Sequence, residues 1–508
     1  MLSKIYSTSV FGMNCELVEV EVDILNGLPS FTIVGLGDKA VLESRERVRS
    51  AIKNTGFKFP TSRITVNLAP ANTKKIGVIY DLPIALGVLA ASNQFDFSID
   101  IKNTLFVGEL ALNGELRHIN GILPMVIYAQ NNNFQRIVLP QINAKEASLI
   151  QGIEIIAAKN LEDIISHFKN EKIIITTTTF NFQAIKPCFP PNLDFSQVKG
   201  QMPAKRALEI SASGSHNILL CGAPGSGKTL MAKTFQTILP KITLEEALEV
   251  TKIYSIANKL PKNQALITQR PFRCVHHTAS SVSIIGGGRI PMPGEISLSH
   301  KGVLFLDEIL EHSQSTLETL RQPLEDKKIV VTRVNGSSEF PADFILLAAM
   351  NPCPCGYHNV PNTTKECTCS LTQIQRYQKK LSGPLLDRID LYLDISPVKY
   401  EKLKNKDDEE SSKKIRARVQ KARDIQIKRF KKHKIFSNAQ MSNKEIKEFC
   451  KIPKEAENLL KLAVSQINLS ARGYHRVLKV ARTIADLAGM KNIETIHIAE
   501  ALQYRKKI

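Results

Sequence analysis

The chain reads as an α/β core, with a mixed α+β domain before it and a helical region after it. Three observations predict this order. "NILLCGAPGSGKTLMAK" (Asn217–Lys233) joins an apolar strand to a helix through a glycine-rich loop, and "GVLFLDE" and "FILLAAMNP" add two further buried strands. Residues 1–185 mix period-two apolar runs with helical spacing. Residues 397–508 read almost wholly as helix. The expected domains are therefore 1–185, 186–396 and 397–508. A length of 508 residues accommodates about three domains.

Bulk properties narrow the function classes. Hydrophobic residues make up 43% of the chain, as in ordinary globular proteins. No apolar run approaches the roughly 20 residues that span a bilayer, and the N-terminus lacks the apolar core of a signal peptide. The expectation is a cytoplasmic protein without a membrane partner. Nine cysteines, an odd count without an export signal, argue against a disulfide framework. Lys plus Arg is 68 against 48 for Asp plus Glu, a net charge of +20. That excess favours nucleic acid through phosphate contacts and counterion release, with solubility as the plainer reading.

In the first domain, "CELVEVEVDI" alternates as a strand, and "DKAVLESRERVRSAIKNTG" is helical up to a C-terminal Gly56. "RITVNLAP" and "RIVLP" are strands, and "YDLPIALGVLAAS" is a buried helix. "IIITTTTFNFQAIKPCFPPN" shifts to Thr, Pro and Asn and reads as a linker.

Gly222-Ala223-Pro224-Gly225-Ser226-Gly227-Lys228-Thr229 satisfies the pattern G-x-x-x-x-G-K-[ST]. Its glycines let backbone N–H groups converge on phosphate oxygens, and the helix that follows offers its positive end. Lys228 would reach the β and γ phosphates of ATP, and Thr229 would ligate Mg²⁺. About 80 residues later the strand "GVLFLDE" ends in Asp307, the second expected Mg²⁺ ligand, and Glu308, placed to activate water as general base. Asn351 ends the strand "FILLAAMNP", where a polar side chain can orient that water. Arg388, in "LSGPLLDRIDL", is either a surface ion pair or an arginine finger for a neighbouring subunit's ATP. Arg472 and Arg476 are candidates for a γ-phosphate contact from a helical lid.

The helical region opens with "KKIRARVQKARDIQIKRFKKHK", which carries eleven Lys or Arg and the single acid Asp424. Such a run is either a solvated helix face or a contact for nucleic acid or a partner. Cys353, Cys355, Cys367 and Cys369 form two C-x-C pairs within residues 353–369. Two thiolate pairs can close a tetrahedral Zn²⁺ site, although C-x-C is tighter than the usual C-x₂-C. Free thiols or a redox pair are the other readings.

The stretches "VKGQMPAKRALEISASGSHNILLCGAPGSGKT", "RPFRCVHHTAS", "GGGRIPMPGEISLSHKGVLFLDE", "AAMNPCPCGY" and "LSGPLLDRIDL" together resemble the AAA+ ATPases of the magnesium-chelatase-like branch. Within it they are most similar to the ComM (YifB) type of competence-associated proteins, over essentially the whole chain. The resemblance implies Walker A at Gly222–Thr229, Walker B at Asp307 and Glu308, sensor 1 at Asn351 and the arginine finger at Arg388. It puts sensor 2 at Arg472, with Arg476 as runner-up. It implies a homo-hexameric motor on single-stranded and branched DNA, driving branch migration during natural transformation. A chelatase-type ATPase that remodels a protein or metal-insertion partner is the alternative. "RPFRCVHH" carries Cys-Val where the family pattern has Ala-Pro, so His276 and His277 are expected to be structural.

"VGELALNGELRHINGILP" and "YDLPIALGVLAAS" resemble the Lon-protease-type domain. Its Ser–Lys dyad falls on Ile84 and Leu123 here, and neither side chain can attack a carbonyl or take a proton. A Lon-like fold without peptidase activity is expected. Ring assembly or DNA contact through Lys39, Arg45, Arg47, Arg49, Lys74 and Lys75 is one role for it, and a solvated basic face is the other.

Overall fold

A computed structural model describes residues 2–94, 101–174, 189–190, 192–261, 264–288, 291–333, 336–361, 365–398, 409–433, 435–466 and 469–505. Most of the expected linker, residues 175–188 and 191, lies outside the described residues. The chain divides into two compact units. One comprises Met1–Ile185 with Ala247–Ile267, the other Lys186–Glu246 with Thr268–Ile508. Residues 247–267, inside the span expected for the α/β core, thus pack with the first unit.

The first unit is built on strands β1 (Leu2–Phe11), β2 (Asn14–Leu25), β3 (Ser30–Val34) and β4 (Arg63–Ala69). They continue with β5 (Thr104–Phe106), the short pair β6 (Glu109–Leu110) and β7 (Leu116–Arg117), β8 (Arg136–Pro140) and β9 (Glu154–Ala158). Seven of them form one sheet in the order β3-β4-β2-β1-β5-β8-β9. β1 pairs antiparallel with β2, and β2 with β4, while β5, β8 and β9 run parallel. The alternation in β2 does what a period of two requires: Val18, Val20 and Val22 are buried while Glu19 and Glu21 face the other side. Helix Lys39–Asn54 starts at Asp38, whose Oδ1 accepts the Val41 N–H at 2.9 Å. Its cap is Thr55, and Gly56 follows at φ +83°, the left-handed turn that ends helices. Helix Asp81–Ala91 is buried along nearly its whole length, as its unbroken apolar sequence demands.

The second unit holds β10 (Ile218–Gly222), β11 (Phe272–Val275), the pair β12 (Gly286–Gly287) and β13 (Met292–Pro293), and β14 (Val303–Leu306). β15 (Lys328–Arg333) and β16 (Gly336–Pro341) form a hairpin, followed by β17 (Ile345–Met350) and β18 (Leu391–Ile395). The main sheet is parallel throughout, in the order β11-β14-β17-β10-β18. Its three central strands, β14, β17 and β10, are continuous apolar runs, as strands covered on both faces are.

After residue 408 the described chain is helical: Ser412–Arg429, Asn443–Phe449, Lys454–Gln466, Ala471–Leu487 and Thr495–Gln503. Ile415, Val419, Leu460 and Val477 from these helices share one apolar core with Ile218, Phe305 and Leu347 of the sheet. The basic run divides by residue type. Arg423 is buried and donates to Ala212 O and Ser215 Oγ, Arg418 pairs with Glu209 and Glu410, and Arg429 pairs with Asp486. Lys413, Lys414, Lys421 and Lys428 remain exposed on the same helix.

Candidate functional site: a nucleotide site at the carboxyl edge of the parallel sheet

Sheet register puts the polar motif residues on one edge. Cys221 is level with Met350, Leu306 with Ala348, and Val275 with Leu306. Gly222, Asp307, Asn351 and His276 therefore leave their strands at the same carboxyl edge, where parallel α/β sheets bind ligands.

The loop after β10 has the curvature its sequence predicts. Gly225 and Gly227 sit at φ +76° and +88°, and a Cβ on either would meet nothing within 4 Å. Gly222 is needed for closeness instead, since a Cβ there would come 2.5 Å from Ile395 O. Lys228, first residue of helix Lys228–Phe235, donates from Nζ to Gly222 O (2.7 Å), Ala223 O (2.9 Å) and Asn351 Oδ1 (3.1 Å). Burial pulls its ammonium below the ordinary lysine value. Ser226 Oγ is buried in the same loop with no hydrogen-bond partner among the described residues. A cradle of open glycines, a lysine resting on carbonyls and an orphaned hydroxyl fits polyphosphate.

Thr229 Oγ1 donates to Asp307 Oδ2 at 2.8 Å, so the two expected Mg²⁺ ligands already touch. Both offer oxygen, the ligand type this cation takes, so the residues present fit it. Glu308 stands beside them with left-handed backbone, φ +49°, unusual for a residue with a Cβ. Its carboxylate is about half exposed, and His277 Nδ1 lies 3.8 Å from Oε2. The His276 and His277 rings are 4.2 Å apart. Burial lowers the nearby His312 imidazole, with His277 and His276 adding to the effect. Sequence reasoning gave His277 no part in this site. The parallel pairing of β11 with β14 is what brings it beside Glu308.

The arginines lie elsewhere. Asn217, immediately before β10, donates from Nδ2 to Arg388 O at 2.9 Å, and its N–H donates to Asp390 Oδ2 at 3.0 Å. Arg388 is thus fastened at the amino edge of β10. The five-residue strand separates it from the phosphate loop by about 16 Å at 3.3 Å per residue. Arg388 pairs with Glu325, which also takes Arg472 Nη2 at 3.2 Å. Burial, then Arg472, Arg321 and Arg476, hold the Arg388 guanidinium below its ordinary value. Arg476 is locked to Asp390, whereas the Arg472 side chain is 58% exposed. The structure therefore assembles Gly222–Thr229, Asp307, Glu308 and Asn351 in one place and Arg388, Arg472 and Arg476 in another.

In the segment that follows Asn351, the sulfurs of Cys353, Cys355, Cys367 and Cys369 lie within 4.8 Å of one another. The Tyr357 N–H pulls the Cys355 thiol down to about 6.

The positions matched to a Ser–Lys dyad are apolar core: Ile84 and Leu123 are both fully buried. Asp81, at the start of the same helix, is buried and paired with Arg47 at 2.6 Å. Lys75 is fully buried, donating to Pro70 O and, at 2.9 Å, to Thr73 O. Of the six cations expected to form a contact face, Arg47 and Lys75 are therefore internal, while Lys39, Arg45, Arg49 and Lys74 are exposed.

This fold and edge define a P-loop nucleotide-binding protein of the α/β class. Three family models match the chain: magnesium chelatase, subunit ChlI, at residues 194–403; subunit ChlI of Mg-chelatase at 20–143; and the ChlI C-terminal region at 409–505. Competence protein ComM of Haemophilus influenzae is 44% identical over 510 residues, covering 100% of this chain and 98% of that protein. YifB of Escherichia coli, an uncharacterized protein, is 40% identical over 99% of this chain and 97% of its own length. Lon protease 2 of Bacillus subtilis is 27% identical over 31% of each chain. The chain belongs to the ComM/YifB-type, magnesium-chelatase-like family of AAA+ proteins. Membership supports ATP hydrolysis as its chemistry. Among the described residues no helix is long and apolar enough to cross a membrane.

Proposed function

We propose that this protein is an ATP-driven homo-hexameric motor on single-stranded and branched DNA, promoting branch migration when incoming DNA recombines during natural transformation. The observation that carries the reading is the split between the two edges of the parallel sheet. Lys228, Thr229, Asp307, Glu308 and Asn351, the residues we assign to ATP and its water, gather at the carboxyl edge, while Arg388 is held at the amino edge, out of reach of its own loop. Such a division makes sense when one subunit's arginine serves the next subunit's ATP.

In the bound state the phosphates replace the Gly222 and Ala223 carbonyls on Lys228 Nζ, and Ser226 Oγ gains a partner. Thr229 and Asp307 would hold Mg²⁺, which supplies neutralising charge on the phosphates. Glu308 takes the proton of the attacking water, and Asn351 keeps that water in line. Arg388 leaves Glu325 for the γ-phosphate of the neighbouring subunit, and Arg472, the more exposed of the two lid candidates, is the second contact. The exposed lysines 413, 414, 421 and 428 are the DNA-facing part of the basic helix. The first unit is a Lon-like domain without peptidase chemistry, since Ile84 and Leu123 occupy the dyad positions. Cys353, Cys355, Cys367 and Cys369 hold Zn²⁺, and the protein works in the cytoplasm.

The testing experiment is steady-state ATP hydrolysis, alone and with single-stranded, duplex and four-way-junction DNA. Glu308→Gln, which should bind ATP and stall, is the control. Stimulation strongest on branched or single-stranded DNA is the expected result. The matches to magnesium chelatase subunits favour a second reading, a remodelling ATPase acting on a protein or metal-insertion partner. Hydrolysis indifferent to every DNA would move the assignment there.

A further inference from the structure

The four-cysteine cluster is spaced for a metal and not for disulfides. Cys353 Sγ lies 3.3 Å from Cys355 Sγ and 3.7 Å from Cys367 Sγ, and Cys355 and Cys367 are 3.5 Å apart. A disulfide needs about 2.05 Å. Tetrahedral zinc, with Zn–S near 2.3 Å, holds its sulfurs about 3.8 Å apart. Cys353 is fully buried, and its sulfur accepts the N–H groups of Gly356 (3.2 Å) and His358 (3.4 Å). Backbone donors of this kind orient and stabilise thiolate ligands.

The place of the cluster is as informative as its spacing. Cys353 is two residues from Asn351, whose Oδ1 accepts from Lys228 Nζ at 3.1 Å. Gly356, between the two cysteine pairs, faces the phosphate loop: a Cβ there would come 2.4 Å from Cδ and 2.8 Å from Cγ of Pro224. Gln378 Nε2 fastens the near end by donating to Pro352 O at 3.0 Å. One end of the cysteine segment thus continues from Asn351, which accepts from Lys228, and Gly356 close to that end rests on Pro224 of the phosphate loop. Both contacts depend on where a stretch rich in Pro, Gly and Asn is held.

We propose that zinc bound by Cys353, Cys355, Cys367 and Cys369 is a buttress of the ATP site. By clamping this segment it fixes Asn351 and the Gly356–Pro224 contact, so metal occupancy sets nucleotide affinity. The proposal rests on the zinc reading above and adds the coupling to ATP. Without metal the segment gains conformational freedom, and ATP binding must supply the ordering that zinc had already provided.

The test uses the full-length protein. Zinc is counted by elemental analysis. The affinity for a fluorescent ATP analogue is measured at saturating Mg²⁺ as purified, after metal removal, and after zinc is restored. We expect one zinc per chain, absent from Cys355→Ser/Cys367→Ser, and a tenfold or greater weakening of binding on metal loss that restoration reverses. Far-UV circular dichroism should stay unchanged throughout. Gly356→Ala should keep its zinc and still weaken binding, because its methyl group meets Pro224 and a Cβ strains the backbone at φ +89°. An intact-cysteine protein without zinc overturns the zinc reading. Full zinc with affinity indifferent to its removal overturns the coupling alone. If metal removal unfolds the protein, Gly356→Ala decides, and wild-type affinity in that variant overturns the proposal.

Discussion

Lys75 in the first unit and Lys228 in the second are both buried lysines whose ammonium groups rest on backbone carbonyls, and burial lowers both below the ordinary lysine value. Their surroundings separate them. Lys75 is fully enclosed. Lys228 stands beside glycines with open space above them and a serine hydroxyl that has no partner among the described residues. Lys75 is closed off inside its own fold, and under the proposed function Lys228 exchanges its carbonyls for phosphate. The arginines divide in the same way. Arg47 neutralises buried Asp81, whereas Arg388 shares one half-exposed carboxylate, Glu325, with a second arginine. In both pairs the residue type is the same and the availability of the partner atoms differs.

Breaking the arginine half of this comparison should give the largest effect. Arg388→Ala should lower turnover by about 10³-fold or more, the range typical of arginine fingers, with ATP affinity within a few-fold of wild type. Mixing the variant into wild-type protein should depress activity beyond its share of subunits. If a monomer hydrolyses ATP at the full rate, Arg388 does not act on a neighbour. The lysine half is next. Lys228→Ala should weaken ATP binding by about 10²-fold, as loss of a charge-assisted phosphate contact with desolvation requires. Lys75→Ala should leave affinity unchanged while lowering the melting temperature, and a shared effect on ATP would dissolve the distinction.

How much of this was legible in the sequence follows from distance along the chain. The loop Gly222–Thr229 and the pair Asp307–Glu308 stand out in the sequence because each is a run of consecutive residues, and the structure brings the two runs into contact. Strands and helices of the first unit follow likewise from period-two and apolar runs that the structure keeps, as in β2 and helix Asp81–Ala91. What escaped was contact through space. Nothing near His277 in the sequence points to Glu308, because parallel pairing of β11 with β14 makes them neighbours. The inward turn of Arg423 and Arg429 and the pairing of the exposed Arg418 were hidden within a run that looks uniformly basic, since Glu209, Ala212 and Asp486 come from other helices. The packing of residues 247–267 with the first unit was invisible for the same reason.

Removing the partner of a buried charge in the first unit should cost stability and not catalysis. Asp81 is fully buried, and burial raises its carboxyl above the ordinary value even with Arg47 beside it. Arg47→Ala leaves that carboxylate uncompensated, at an expected cost of about 3 kcal/mol in chemical denaturation. The deficit should narrow as pH falls, because the folded variant takes up a proton on Asp81 and no charge then needs compensation. A deficit constant with pH would mean that Arg47 acts by packing alone. Turnover per folded molecule should match wild type.

The smallest effect should come from His277, and it sharpens the comparison at the catalytic edge itself. Its Nδ1 lies 3.8 Å from Glu308 Oε2, beyond hydrogen-bond distance, with both side chains substantially exposed. Exposed polar contacts so placed are worth at most about 1 kcal/mol. His277→Ala should therefore change turnover by no more than about five-fold and leave ATP affinity unaltered. A loss as large as that of Glu308→Gln would instead make His277 the group that positions the glutamate for water. The left-handed backbone of Glu308 would then read as strain held by the histidine, and this edge of the sheet would contain one more functional residue than its sequence motifs disclose.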